Sequence, residues 1–146
     1  MNKTLFLIAL VLVTLFLNAC NQPGILYGKK TIEITGKNWL SDTMTIKPGM
    51  EVNFFSSISD LLLTTTFDHG ELIVCDGGKI IAQGTVDNPI IFTIKDNSSF
   101  ARLVFAADSS AESILEYCEF NNTFYIDVYC STVTFRNCRR NGQPYP

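Results

Sequence analysis

The chain has 146 residues, room for one sizeable domain once a leader is set aside. It carries 11 basic and 14 acidic residues, a net charge of −3, and an acidic balance of this kind argues against nucleic acid as a partner. Its five cysteines form no CxxC pair, so the spacing does not favour a zinc site.

The first element is a leader, MNKTLFLIALVLVTLFLNAC. Lys3 supplies a positive start, and Leu5–Leu17 is apolar apart from Thr14. Thirteen residues are too few to span a bilayer comfortably, which takes about 20. Leu17-Asn18-Ala19-Cys20 resembles the lipobox of bacterial lipoproteins, with a small residue just before the cysteine. That resemblance implies cleavage after Ala19, lipid on Cys20 and an extracytoplasmic, lipid-anchored mature chain of about 127 residues. Asn21 after the cysteine, rather than Asp, is by the same resemblance compatible with outer-membrane delivery in a Gram-negative envelope. An uncleaved anchor and an ordinary secretory signal are the alternatives. The expected division is a signal peptide over 1–19, a lipidated tether over 20–30 containing Pro23 and Gly24, and a folded domain over 31–146.

From Thr31 onward the pattern is β, in short strands separated by Gly, Asn, Asp or Pro. Thr31–Thr35 alternates polar and apolar, and Met44–Ile46 leads through a Pro48-Gly49 turn into Glu51–Phe54. Glu71–Val74, a Gly77-Gly78 turn, Lys79–Ala82 and Ile90–Thr93 follow. No segment has a sustained helical period with capping residues, so no long helix is expected. The last third repeats at 20 residues: Ser113–Cys118 lies over Val133–Cys138, with Leu115 on Phe135, Cys118 on Cys138 and Asn121 on Asn141. A fixed period near 20 in an all-β chain marks a solenoid, in which equivalent residues stack about 4.8 Å apart. Asn at a repeated corner position suits a left-handed backbone conformation.

Asp42–Phe54 resembles the first coil of right-handed parallel β-helix proteins of the pectin-lyase-like superfamily. Leu72–Thr93 is similar to their recurrent pattern, an LxV strand, a glycine turn, Ala82-Gln83-Gly84-Thr85 and Pro89-Ile90-Ile91-Phe92-Thr93. Ser113–Asn122 and Val133–Gly142 resemble their later asparagine-bearing coils. The resemblance implies an all-β right-handed parallel β-helix of about four short coils, with Thr31–Ile46 covering its N-terminal end. The expected interior ladders are Ile46, Val52, Phe54, Leu72, Val74, Ile80, Ile91, Phe92, Leu103, Phe105, Leu115 and Phe135. Larger members of the superfamily continue for more coils, so the chain reads as a shortened one, and the polar Arg139–Pro146 segment with its two prolines reads either as a minimal cap or as the point where a longer relative is cut short.

Fold does not fix activity, because this superfamily includes lyases, hydrolases, adhesins and surface lipoproteins. Asp68-His69-Gly70-Glu71 holds the only histidine, and histidine beside carboxylates suits acid–base work. Neighbouring residues in one turn splay apart, however, and a solvated turn before a strand explains the segment as well. The clustered aspartates of the family's hydrolases are missing from the sequence, and no cofactor or metal is implied. Glu116 over Arg136 and Glu119 over Arg139 read as exposed cross-strand ion pairs. Stacked Cys118 and Cys138 read as buried thiols, since parallel Cβ vectors place the sulfurs poorly for a disulfide; Cys75 and Cys130 have no evident partner. Aromatic residues crowd the last coils, and Tyr125, Tyr129 and Tyr145 are the candidate contacts for sugar rings or for a protein edge. The expected function is a non-catalytic envelope module that binds a polysaccharide or a surface protein. The alternative is a polysaccharide lyase or glycoside hydrolase.

Overall fold

A computed structural model describes residues 25–61, 64–96, 100–129 and 132–145. The expected leader, with Cys20 as its expected lipidation site, and Cys130 lie outside the described residues.

The described chain is all β, in 17 strands. The first nine are β1 (Ile25–Tyr27), β2 (Thr31–Thr35), β3 (Lys37–Leu40), β4 (Thr43–Ile46), β5 (Glu51–Phe55), β6 (Ser57–Leu61), β7 (Thr64–Asp68), β8 (Glu71–Val74) and β9 (Lys79–Gln83). They are followed by β10 (Ile90–Ile94), β11 (Ala101–Phe105), β12 (Ile114–Glu116), β13 (Cys118–Phe120), β14 (Phe124–Val128) and β15 (Thr134–Arg136). Two short strands end the series, β16 (Arg139–Arg140) and β17 (Gln143–Pro144).

Successive strands pass from sheet to sheet. The first sheet runs β1-β2-β5-β10-β13-β16-β17, the second β3-β8-β11-β14 and the third β4-β9-β12-β15. Every pairing among β2, β5, β10, β13 and β16, and every pairing in the second and third sheets, is parallel. Each circuit thus contributes one strand to each of three stacked parallel sheets, the strand order of a β-solenoid. The 20-residue repeat is realised as register: Leu115 faces Phe135, and Glu119 faces Arg139.

Thr31–Ile46 is not a cover but the first circuit, because β2, β3 and β4 each pair in parallel with the circuit that follows. The cover is β1, inside the expected tether, which pairs antiparallel with β2. At the other end β17 turns back antiparallel on β16 through Asn141-Gly142. Both turn residues have positive φ, 48° and 77°, as a type I′ hairpin turn demands. Antiparallel strands at both margins of the first sheet occupy backbone groups that a parallel edge would leave unpaired.

Inward residues of all three sheets form one core. Phe54, Phe92, Phe105, Phe120 and Phe124 are fully buried, each contributing roughly 1.5–3 kcal/mol of transfer free energy. Phe92 stacks on Phe120 with ring centroids 4.9 Å apart, and Phe54 meets Phe124 edge to face at the same separation. Ten of the twelve expected ladder residues are buried. Ile91 is not: β10 turns Ile90, Phe92 and Ile94 inward, so Ile91 faces outward between Glu51 and Glu119. An Ile-Ile-Phe run conceals which member of the alternation points in. Phe135 is half-buried because β15 is the last strand of its sheet, and its ring packs 5.2 Å from that of Tyr145.

Two further expectations change. Asn122, not Asn121, takes the left-handed conformation together with Asn141. The two are joined by the Asn122 N–H donating to Asn141 Oδ1 at 2.9 Å and Asn141 Nδ2 donating to the Asn122 carbonyl at 3.3 Å. The expected Glu116–Arg136 and Glu119–Arg139 ion pairs do not form among the described residues, although the register brings each pair together. Glu116 instead accepts from Gln83 Nε2 at 3.3 Å.

Candidate functional site

The alternation that buries Asn38 and Leu40 turns Lys37 and Trp39 out of β3. Register then sets the outer face of the second sheet. Lys37, Glu71, Arg102 and Tyr125 form one row, and Trp39, Ile73, Val104 and Asp127 form the next. The first row carries alternating charge. Lys37 Nζ lies 3.5 Å from Glu71, Arg102 lies 3.3 Å from Glu71, and Arg102 Nη2 reaches Asp127 at 2.5 Å. The hydrogen bond to Asp127 raises the Arg102 pKa, against the opposing effect of burial, so its guanidinium stays charged. The second row has an apolar floor, Ile73 and Val104, with Trp39 at its far end.

Trp39 is 53% exposed, and Lys37 Nζ sits 5.6 Å from its ring centroid. At the opposite edge of the face, Tyr125 is 47% and Tyr129 65% exposed. Three strand steps separate β3 from β14, about 14 Å at about 4.8 Å per step. The face thus offers aromatic surface at both ends, an apolar floor between them and a self-neutralised row of hydrogen-bonding groups alongside.

The candidate tyrosines do not all share this place. Tyr125 and Tyr129 do, both projecting from or next to β14. Tyr145 is half-buried at the end of the core, its ring 5.9 Å from Phe120 and 5.2 Å from Phe135. Burial raises its pKa. His69 follows β7 and is partly buried, with its ring 3.7 Å from Phe100, which in turn meets Tyr125 edge to face at 5.6 Å. Asp68 ends β7, opposite Ser57 of β6 in a two-stranded antiparallel hairpin. Sequence reasoning passed over Trp39. The signal for it was present, since Lys37-Asn38-Trp39-Leu40 alternates once Leu40 is assigned inward.

A cleft of about 350 Å³ lies where the third sheet turns into the first. Tyr117, Glu119, Cys138, Arg139 and Pro144 are among its walls. Tyr117 and Asn137 turn the same corner on successive circuits, both with left-handed φ, 48° and 52°. Behind them Cys118 and Cys138 are buried free thiols. Closeness to Cys138 and burial both push the Cys118 pKa up. Cys75 is a partly buried free thiol elsewhere, raised by burial and by Asp76 and Asp108. No group of three or more His, Cys, Asp or Glu side chains converges as a metal site among the described residues.

No protein-family model matches the chain, and neither does any curated protein or any solved structure.

Proposed function

We propose that this chain is a lipid-anchored envelope protein, a right-handed parallel β-helix of the pectin-lyase-like kind, that binds a polysaccharide without cleaving it. The observation that carries the binding reading is the outer face of the second sheet, with exposed Trp39 at one edge and Tyr125 and Tyr129 at the other. Aromatic faces match the apolar faces of pyranose rings, and the span of about 14 Å suits a short run of sugars crossing the strands. The linked Lys37, Glu71, Arg102 and Asp127 side chains satisfy their own charges across the two rows, which favours a neutral glycan over a polyanion.

A glycan array probed with the full chain in detergent micelles tests the reading, beside an assay for unsaturated or reducing-end products. Binding is expected without product. Trp39→Ala combined with Tyr125→Ala should weaken it about 30-fold, taking about 1 kcal/mol for each ring and 1.4 kcal/mol per tenfold. Product formation that vanished with His69→Ala or Asp68→Asn would replace the binding reading with the lyase or hydrolase one.

The anchoring half of the reading rests on the leader. Buried acyl chains contribute about 0.8 kcal/mol per CH₂, and two chains already hold a protein on a membrane. Cys20→Ser is therefore expected to release the chain from sedimented membranes. A variant that stayed in the membrane pellet would point to an uncleaved helix or a protein partner.

A further inference from the structure

Cys118 and Cys138 occupy the same position on successive circuits. β13 and β16 pair with Glu119 opposite Arg139, so the cysteines one residue earlier are aligned. Their surroundings repeat as well. Cys118 Sγ lies 3.6 Å from the Ala82 carbonyl oxygen and 3.5 Å from that of Glu116. Cys138 Sγ lies 3.3 Å from the Leu115 carbonyl oxygen and 3.4 Å from that of Arg136. Ala82 is the register partner of Leu115, and Glu116 of Arg136. The two side chains therefore point the same way, and their sulfurs are related by one strand step, about 4.8 Å.

That separation is far from the S–S bond of about 2.05 Å, and parallel side chains cannot close it without rotating out of their carbonyl contacts. It does match another bond pattern. Two zinc–thiolate bonds of about 2.3 Å would span about 4.6 Å end to end, so sulfurs at this separation leave room for one metal ion between them. Soft thiolates select soft ions, and d10 ions such as copper(I) accept two sulfurs in a line. Among the described residues no third His, Cys, Asp or Glu joins the pair, a set unlike the four ligands of structural zinc. Cys138 is 5% exposed and forms part of the cleft wall, so the inner pair is reached from solvent through that cleft.

We propose that Cys118 and Cys138 form a two-coordinate site for one soft monovalent d10 metal ion, copper(I) in class, entered through the cleft at the corner of the first and third sheets. Binding forms two metal–sulfur bonds and breaks two S–H bonds. The two protons leave to water, and the metal keeps its oxidation state. The product carries one net negative charge, with Arg139 on the wall of the same cleft.

The test uses the full chain in detergent micelles, in a Cys75→Ser, Cys130→Ser background that removes the other cysteines after Cys20. Copper(I) is titrated under argon against a chromogenic chelator, and silver(I) by native mass spectrometry. One equivalent of each ion is expected to bind, with affinity falling at least 100-fold in Cys118→Ser and in Cys138→Ser. Unchanged affinity in either serine variant would overturn the site, and so would a native mass two hydrogens lighter that maps to a Cys118–Cys138 disulfide. Should the serine variants fail to fold, maleimide labelling of the background protein decides the matter. Bound copper(I) is expected to slow labelling of Cys138 at least tenfold, and equal labelling with and without the ion rejects the proposal.

Discussion

Leu115→Asp is expected to unfold the C-terminal circuits while leaving the first ones folded to higher temperature. Leu115 is fully buried on β12, with Ala82 on one side and Phe135 on the other. A carboxylate there has no cationic partner in the core, and a buried unpaired charge belongs to the few changes that cost more than about 4 kcal/mol. Burial raises the pKa of such an Asp above its unfolded value of about 3.9. The penalty is therefore in full force above the folded-state pKa and shrinks as the pH falls toward 4, so the deficit against the parent should narrow in acid. In a stacked array each circuit depends chiefly on its neighbours, which predicts separable transitions. The single tryptophan, Trp39, sits on β3 of the first circuit and reports that end, whereas far-UV circular dichroism reports all strands. The dichroism transition should move to lower temperature ahead of the tryptophan transition. A variant that melted like the parent by both probes would show that Leu115 does not lie in the core.

Gly78→Ala is expected to destabilise the chain by about 3 kcal/mol, although it adds a single methyl group. Gly78 is buried at the turn from β8 to β9, its N–H donating to the Cys75 carbonyl at 2.8 Å and its carbonyl accepting from Ser110 N–H at 2.9 Å. A Cβ at this position would overlap the Leu40 carbonyl oxygen of the preceding circuit and lie 2.9 Å from the Cys75 carbonyl oxygen. Both obstacles are backbone held by the stacking of circuits, so neither can yield without spreading the strands. The neighbouring Gly77→Ala provides the contrast. It meets nothing within 4 Å but would hold alanine at φ 77°, a cost of roughly 1–2 kcal/mol. Denaturant melts of the two variants should therefore rank Gly78→Ala as the more damaging. The reverse order would mean that circuit spacing is looser than the register implies.

Much of the architecture was readable in the chain. The 20-residue repeat between Ser113 and Cys138 carried the register of β12 with β15 and of β13 with β16 without error, because no connection of differing length intervenes there. The Pro48-Gly49 turn was readable for a local reason, since Gly49 takes φ 74° between β4 and β5. Elsewhere the repeat is disguised. Glu51 faces Thr31, 20 residues back, but also Ile91, 40 residues on, because the β6–β7 hairpin and long corners are inserted between them. A sequence period cannot survive insertions that the sheets simply loop out. The margins were opaque for a related reason: β1 and β17 are too short to show alternation, and only their antiparallel partners define them.

Where polar and apolar residues alternate, the sequence by itself determined which side chains face in, because a strand alternates every two residues and water decides the rest. Phe54, Leu72, Val74 and Leu115 follow from that local rule. Tertiary structure alone decided which outward side chains become neighbours. Lys37, Glu71 and Arg102 join into one charged row that reaches Asp127 in the next, and Trp39 shares a face with Tyr125, only because β3, β8, β11 and β14 stack in one register. That register depends on connections of unequal length, which carry no periodic signal. The inward set is therefore a property of each strand, whereas the candidate binding face is a property of their stacking.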